Sequence, residues 1–186
     1  PYLSGISEYS NIWVISFEKK NRVIKVRKKI QKIFKEKNIG WVSLNFTGNF
    51  GKIGKAWDLL KMYFVSFFLV LTKKIQIIHG RGHAQSQVGL IMKKLFKLKL
   101  IFDLRGLWAD ERIDNGAWNL NNKIDKIIYN YFKKVEIKLL QQSDEIIVLT
   151  NAVCNELIKL SHKKALPITI IPCCADFEHF KIKKKF

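Results

Sequence analysis

Short apolar runs alternate with amphipathic stretches along the chain, and this alternation restricts the fold more than any other feature. Runs such as Ile75–His79 and Glu145–Leu149 are rich in branched apolar residues, which is typical of strands buried on both faces of a parallel sheet. The stretches between the runs repeat apolar residues at spacings of three and four, as amphipathic helices do. The pattern predicts an α/β fold with helices on both faces of a mostly parallel sheet and right-handed crossovers.

The predicted elements cover most of the chain. The predicted strands are Asn11–Phe17, Trp41–Phe46, Ile75–His79, Leu98–Leu104, Glu145–Leu149 and Ile168–Ile171. Gly48, Gly51 and Gly54 predict a loop. Two of the predicted helices span Ala56–Thr72 and Gln85–Phe96. A helix between the first two strands carries the apolar stripe Val23, Val26, Ile30, Ile33 and Phe34, and a long helix before Glu145 carries the stripe Leu120, Ile124, Ile127, Tyr131, Val135 and Leu139. The last helix, capped by Asn151, carries Val153, Leu157 and Leu160.

The composition points to a globular chain with a large excess of positive charge. Its 186 residues suit one domain, and the net charge is +19. An anionic partner is one interpretation. The favoured interpretation is that the lysines reflect a general bias of the composition, with mild attraction to membranes, because they are spread along the helical stretches. Arginine is scarce, so Arg81, Arg105 and Arg112 are the stronger candidates for specific recognition. Most aromatic residues fall on apolar stripes, so a nucleic-acid partner is not expected.

Several other classes of protein are excluded or disfavoured. The run Met62–Leu71 is too short to span a bilayer and predicts a buried helix, with a membrane-dipping segment as the open alternative. Cys154, Cys173 and Cys174 lack metal-ligand spacing and are interpreted as reduced thiols. The sequence contains no GxGxxG after a strand, no GxxxxGK[ST], no HExxH and no GxSxG motif.

Polar residues follow the carboxyl ends of several predicted strands, which is where open α/β sheets bind their ligands. Each has a structural alternative. His79 could satisfy a backbone carbonyl, Arg81 could be a turn residue, and Trp108 could be core or a platform for a sugar ring. Asp103 and Arg105 could form a structural ion pair, Asp110 and Glu111 could favour a helix N-terminus, and Thr150 could be a helix cap. The candidate residues are Glu18, His79, Arg81, Asp103, Arg105, Trp108, Asp110, Glu111 and Thr150.

Four blocks of the sequence together resemble the N-terminal domain of family-4 (group 1) glycosyltransferases. They are IIHGRGH (77–83), IFDLRGLWADE (101–111), DEIIVLTNAVCNEL (144–157) and ITIIPCCADFEHF (168–180). The resemblance implies a Rossmann-like three-layer sandwich with a mostly parallel sheet, one half of a GT-B fold. Residues 1–176 would form this domain, with its first strand missing upstream, and residues 177–186 would begin a linker to a C-terminal donor-binding domain.

Two positions depart from that family's pattern. Many members carry a histidine at the end of the strand that here contains Asp103, which is followed by Arg105 as in a "D/E-x-R-G-x-W" subgroup. The usual Asn-Gly before a matched Asp176 is replaced by Cys173-Cys174-Ala175. The first departure makes a histidine contact with the acceptor doubtful at this strand.

The function implied by the resemblance is transfer of a sugar from a nucleotide-sugar to a glycan or lipid-linked acceptor. Transfer would retain anomeric configuration and use no metal or other cofactor, with the donor bound mainly by the C-terminal domain. The acceptor side would rest on Asp103, Arg105 and Glu111, with the other candidates binding substrate. The expected location is the cytoplasm, with peripheral contact at the anionic inner face of the cytoplasmic membrane. The alternative is a non-catalytic split or degenerate half that serves as a binding partner.

Overall fold

The computed structural model describes residues 2–173, apart from the side chains of residues 20–25. The described residues divide into two units, residues 2–62 and residues 63–173. The predicted domain end at residue 176, the linker 177–186, Cys174 and the matched Asp176 lie outside the described residues. The proposal of a single domain over 1–176 therefore stays a prediction.

The first unit contains a parallel pair of strands. Helix α1 (Tyr2–Ile6) precedes β1 (Trp13–Glu18), and α2 (Lys20–Glu36) connects β1 to β2 (Gly40–Asn45). Trp13 pairs with Gly40 and Glu18 with Asn45. The predicted strands are confirmed with boundaries displaced by one or two residues.

Helix α3 (Gly51–Lys73) begins earlier than the predicted Ala56, so the prediction of a loop through Gly54 was wrong. A short 3-10 turn over Gly48–Phe50 leads into the helix. The side-chain hydroxyl of Thr47 donates to the Asp58 carboxylate at 2.6 Å and to the Gly54 carbonyl at 3.1 Å. A Cβ on Gly54 would collide with the Thr47 carbonyl. Gly54 therefore allows the chain to pack closely at the helix start.

The second unit is a four-stranded parallel sheet with its strands in sequential order, β3-β4-β5-β6. Each connection between consecutive strands of this sheet contains at least one helix, as the pairing of parallel strands requires. The elements are β3 (Ile77–Arg81), α4 (His83–Phe96), β4 (Lys99–Asp103), α5 (Trp108–Asp114), α6 (Lys123–Gln142), β5 (Glu145–Val148), α7 (Cys154–Ser161) and β6 (Ile168–Ile170).

The core of the second unit lies around the two central strands. Phe102 on β4 and Ile146 on β5 are fully buried, as is Leu139 on α6. Leu90 of α4 and Leu157 of α7 complete the same cluster. The central strands β4 and β5 are thus buried, as expected for a parallel sheet. The prediction that the run Ile75–His79 is buried was wrong, because β3 is the first strand of the order β3-β4-β5-β6 and its Ile77 is 56% exposed.

The prediction of a buried helix over Met62–Leu71 was wrong, and the apolar stripe predicted for α6 is buried only in part. Phe64 and Phe68, within the run predicted to be a buried helix, are 59% and 60% exposed. On α6, Ile124 and Tyr131 are exposed, although they share a predicted apolar stripe with the buried Leu139. Helical spacing identifies an apolar face but does not say whether anything covers it. Within residues 2–173, no helix combines the length and the hydropathy needed to cross a bilayer.

Asp144 joins three elements at the amino edge of the sheet. Its carboxylate accepts hydrogen bonds from Lys93 Nζ at 2.6 Å, Lys99 Nζ at 3.1 Å and the Leu100 amide at 2.8 Å. Burial alone raises the pKa of Asp144, but these donors outweigh it and hold the pKa at about 2. The side chain therefore connects the end of α4, the start of β4 and the start of β5.

We expect Asp144→Asn to remove a pH-dependent part of the stability. The folded pKa lies below the ordinary 3.8, so its contribution is complete above that pH and is lost as the pH falls towards 2. The wild type should exceed the variant by about 2 kcal/mol near pH 6 in urea unfolding, and the gap should close at acidic pH. The exposed Asp114→Asn is the control, and a gap that is constant with pH would contradict the assignment.

Candidate functional site

His79 and Arg81 lie on strand β3, at the carboxyl edge of the sheet. Gly80, between them, lies against the first turn of α4, where a Cβ would collide with Ser86. The Ser86 hydroxyl donates to the Gly80 carbonyl at 2.7 Å. Glycine at this position therefore brings the helix N-terminus next to the two polar side chains.

The centre of the site is the carboxylate of Asp103, at the end of β4. Its Oδ2 atom lies 3.3 Å from His79 Nε2 and accepts a hydrogen bond from Arg105 Nη2 at 2.9 Å. The Asp103 side chain is 4% exposed, whereas those of His79 and Arg105 are 29% and 36% exposed. A buried anion thus holds an imidazole and a guanidinium at the surface of the sheet edge.

The other carboxylate oxygen of Asp103 is in an energetically unfavourable position. Oδ1 is buried and receives no hydrogen bond from the described part of the chain. A buried acceptor without a donor costs roughly 1–3 kcal/mol. Stability alone does not explain such a group, which favours a functional reason for the cluster.

Arg81 adds an unpaired cation to the same edge. It stands opposite Asp103 in the register of β3 and β4. It is exposed, and among residues 2–173 its side chain makes no hydrogen bond or ion pair. The guanidinium of Arg81 is therefore available to an anionic ligand, whereas that of Arg105 is oriented by Asp103.

Glu111 reaches the loop that follows β4. It lies in the first turn of α5 and is exposed. Gly106 faces its carboxylate so closely that a Cβ there would collide with Glu111 Oε1. The glycine thus lets the Glu111 carboxylate lie over the loop that also contains Arg105.

A shallow pocket opens beside this cluster, at the carboxyl ends of β4 and β5. Its volume of about 220 Å³ lies below the usual range for a whole small-molecule ligand, which is about 300–1,000 Å³. It is mostly apolar, with Arg105 and Thr150 as its polar side chains. The lining residues are Leu104, Arg105, Gly106, Val148, Leu149, Thr150 and Val153.

Asp110 is engaged away from this cluster. Its carboxylate accepts hydrogen bonds from Tyr129 at 2.8 Å and from Lys133 Nζ at 2.8 Å. Burial raises the pKa of Asp110, but these two donors outweigh it and lower the pKa. Lys133 also donates to Glu136 at 2.6 Å, and Glu136 lies 2.9 Å from His83 Nε2. Asp110 thus fixes α5 to α6 through a largely buried ionic network.

Sequence reasoning missed this network. Glu136 is completely buried and His83 is 2% exposed as a side chain. One signal was available, because Glu136 lies between the apolar Val135 and Leu139 on the inner side of α6. A carboxylate on a buried helical face requires a partner, and Lys133 stands three residues before it.

Trp108 belongs to an aromatic cluster. Its ring centroid is 4.7 Å from that of Phe132 and 5.2 Å from that of Trp118, and its ring stacks on His83 at 6.3 Å. Arg112 lies over the ring at 5.1 Å. This packing agrees with the interpretation of Trp108 as a core residue. The ring is half-buried, and its role as a platform for a sugar ring stays a prediction.

Two further candidates differ in their placement. Thr150 lines the pocket, but neither its side chain nor that of Asn151 caps the following helical turns, so the predicted cap was wrong. Glu18 lies in the first unit, where it accepts a hydrogen bond from Ser16 at 2.6 Å. Within residues 2–173, no cluster of three or more His, Cys, Asp and Glu side chains is arranged to hold a metal ion.

Comparison with known proteins identifies a similar solved structure. Alr3699/HepE from Anabaena, crystallised with UDP and glucose, superposes on 91% of this chain with a TM-score of 0.52 and 12% sequence identity. The chain spans 46% of the length of that protein. No family model and no curated protein sequence matches the chain. The chain has an α/β fold with parallel sheets, similar to half of a GT-B glycosyltransferase.

Proposed function

We propose that this chain is the acceptor-binding half of a glycosyltransferase. The observation that carries the proposal is the gathering of His79, Arg81, Asp103 and Arg105 at the carboxyl edge of one parallel sheet. Ligands of open α/β folds bind at this edge. The adjoining pocket is too small for a whole substrate, which fits a cleft completed by a second domain.

The chemistry of glycosyl transfer gives each group a task. The reaction passes through an oxocarbenium-like state, so the enzyme must orient the acceptor hydroxyl and stabilise the departing diphosphate. The buried Asp103 fixes Arg105, whose remaining donors bind oxygen atoms of the acceptor. Arg81 attracts an anionic group on that acceptor, and Glu111 accepts a hydrogen bond from a sugar hydroxyl. His79 and Thr150 extend the polar lining.

The donor of this proposal is a nucleotide-sugar bound mainly by a C-terminal domain. A UDP-sugar is the first candidate, because the similar protein was crystallised with UDP and glucose. The acceptor is a glycan or a lipid-linked sugar. Transfer retains the anomeric configuration and requires no metal ion.

The test uses the complete gene product that contains this chain. It is incubated with UDP-, GDP- and ADP-sugars and with lipid-linked or free oligosaccharide acceptors, with and without a chelator. We expect release of nucleoside diphosphate that depends on the acceptor and survives chelation, together with an acceptor enlarged by one sugar. Tight acceptor binding without release from any donor would instead indicate a non-catalytic half. Neither binding nor release would exclude both functions.

A further inference from the structure

Helix α5 is too short to determine its own orientation. It contains seven residues, Trp108–Asp114, which is about two turns. Isolated helices of this length are unstable in water, so contacts with neighbouring elements decide how α5 is rotated about its axis. That rotation affects the candidate site, because Glu111 lies in the first turn of α5 with its carboxylate against Gly106, next to Arg105.

The position of the Glu111 carboxylate depends on the helix that carries it. The side chain is exposed, and within residues 2–173 it forms no hydrogen bond or ion pair. No partner of its own therefore fixes the direction in which the carboxylate points. That direction is set by the backbone of α5.

The residue before Glu111 connects α5 to α6. Asp110 Oδ1 accepts a hydrogen bond from the Tyr129 hydroxyl at 2.8 Å, and Oδ2 accepts one from Lys133 Nζ at 2.8 Å. Both donors lie on the same side of α6, because they are four residues apart. Successive residues of a helix are about 100° apart, so a fixed Asp110 also fixes the direction of Glu111.

The support on α6 is itself well fixed. Lys133 Nζ also donates to the fully buried Glu136 at 2.6 Å, and Glu136 lies 2.9 Å from His83 Nε2 at the start of α4. The first residue of α5, Trp108, packs on Phe132 of α6 with ring centroids 4.7 Å apart. Buried polar groups with satisfied hydrogen bonds are rigid, so α6 gives α5 a firm support.

We propose that Asp110 is a positioning residue, which keeps the Glu111 carboxylate over the loop that contains Arg105 through its contacts with Tyr129 and Lys133. The inference rests on the proposed function, because it assigns Asp110 a task in the binding of the acceptor by Glu111. It differs from the sequence-based expectation, in which Asp110 binds substrate itself. Each carboxylate oxygen of Asp110 already accepts a hydrogen bond from α6, which favours the indirect task.

Tyr129→Phe in the complete gene product removes one contact of Asp110 and leaves both neighbouring carboxylates in the chain. We expect kcat/KM for transfer, with the acceptor varied, to fall about fivefold, as for one hydrogen bond lost from an oriented site. Tyr63→Phe is the matched control, because its hydroxyl contacts Gln87 of α4 and not α5. This control should stay within about twofold of the wild type.

A double-mutant cycle distinguishes positioning from a general loss of stability. In the Glu111→Gln background, Tyr129→Phe should change kcat/KM by less than about twofold, because the carboxylate that Asp110 positions is already altered. Equal effects of Tyr129→Phe with and without the Glu111 carboxylate would overturn the inference. Wild-type kinetics of Tyr129→Phe beside a large loss in Asp110→Asn would also overturn it, because Asp110 would then act on substrate directly.

Hydrogen exchange of the same proteins separates this inference from the proposed function. In Tyr129→Phe, the amides of residues 108–114 should exchange faster than in the wild type, whereas those of α7 should not change. Unchanged exchange in α5 would overturn the inference, even in a protein that transfers sugar. Faster exchange in a protein without transfer activity would support the orientation of α5 by Asp110 and would overturn the proposed function.

Discussion

Arg105→Ala in the complete gene product should lower kcat/KM for sugar transfer by roughly hundredfold, equivalent to about 2.7 kcal/mol of transition-state stabilisation. Loss of one fixed donor at a reacting centre has effects of this size. The buried Asp103 holds the Arg105 guanidinium in place, so the donor is oriented before substrate arrives. Steady-state kinetics with the acceptor varied would measure the loss.

Three further variants make this result interpretable. Arg105→Lys keeps the charge without the planar fork and should fall between the wild type and the alanine variant. Arg27→Ala removes an arginine of the first unit that lies over Trp41, and transfer should stay within a factor of about three. Arg81→Ala should act mainly on KM if Arg81 attracts the acceptor. Wild-type turnover by Arg105→Ala, in a folded protein, would remove Arg105 from the site.

Glu136→Ala should lower the free energy of unfolding by about 3–5 kcal/mol. Removing one partner of a buried ion pair is strongly destabilising, because buried polar groups lose the carboxylate that satisfied them. Glu136 is 0% exposed and contacts both His83 and Lys133, which would lose their shared carboxylate. Burial lowers the pKa of Lys133, but its two carboxylates outweigh this and raise the pKa, so the variant keeps Asp110 beside the ammonium and loses the buried carboxylate.

Urea unfolding of the whole chain, monitored by circular dichroism, would measure this loss in the free energy of unfolding. Lys138→Ala, on the exposed side of the same helix, should change stability by less than about 0.5 kcal/mol. Glu136→Gln keeps the shape of the side chain and should lose less than the alanine variant. A loss below about 1 kcal/mol in Glu136→Ala would show that the network contributes little to the fold.

The strands of the fold were predictable because each is a short run rich in branched or aromatic apolar residues, although only β4 and β5 are largely buried. The strands of both sheets lie within two residues of their predicted positions. The start of α3 was not predictable, because Gly54 serves close packing against Thr47 and not flexibility. The exposure of Phe64 and Phe68 was equally hidden, since an apolar stripe has the same spacing whether or not another element covers it.

The candidate site was predictable in part, through the rule that ligands bind at the carboxyl ends of parallel strands. That rule brought together His79, Asp103 and Arg105, which the structure joins by direct contacts. It could not separate Asp110 from Glu111, which are neighbours in sequence but point to different partners. That difference depends on Lys133 of a helix distant in sequence.

The position of Asp144 has a consequence for how such a chain diverges. At the amino edge of the sheet, its carboxylate connects the starts of two strands to a helix through hydrogen bonds. The polar cluster of His79, Asp103 and Arg105 lies at the opposite edge. Substitutions in the polar cluster therefore fall at the opposite edge from the residues that secure strand pairing. The side chains of the carboxyl edge can therefore change while the framework persists, in keeping with a similar fold at 12% identity.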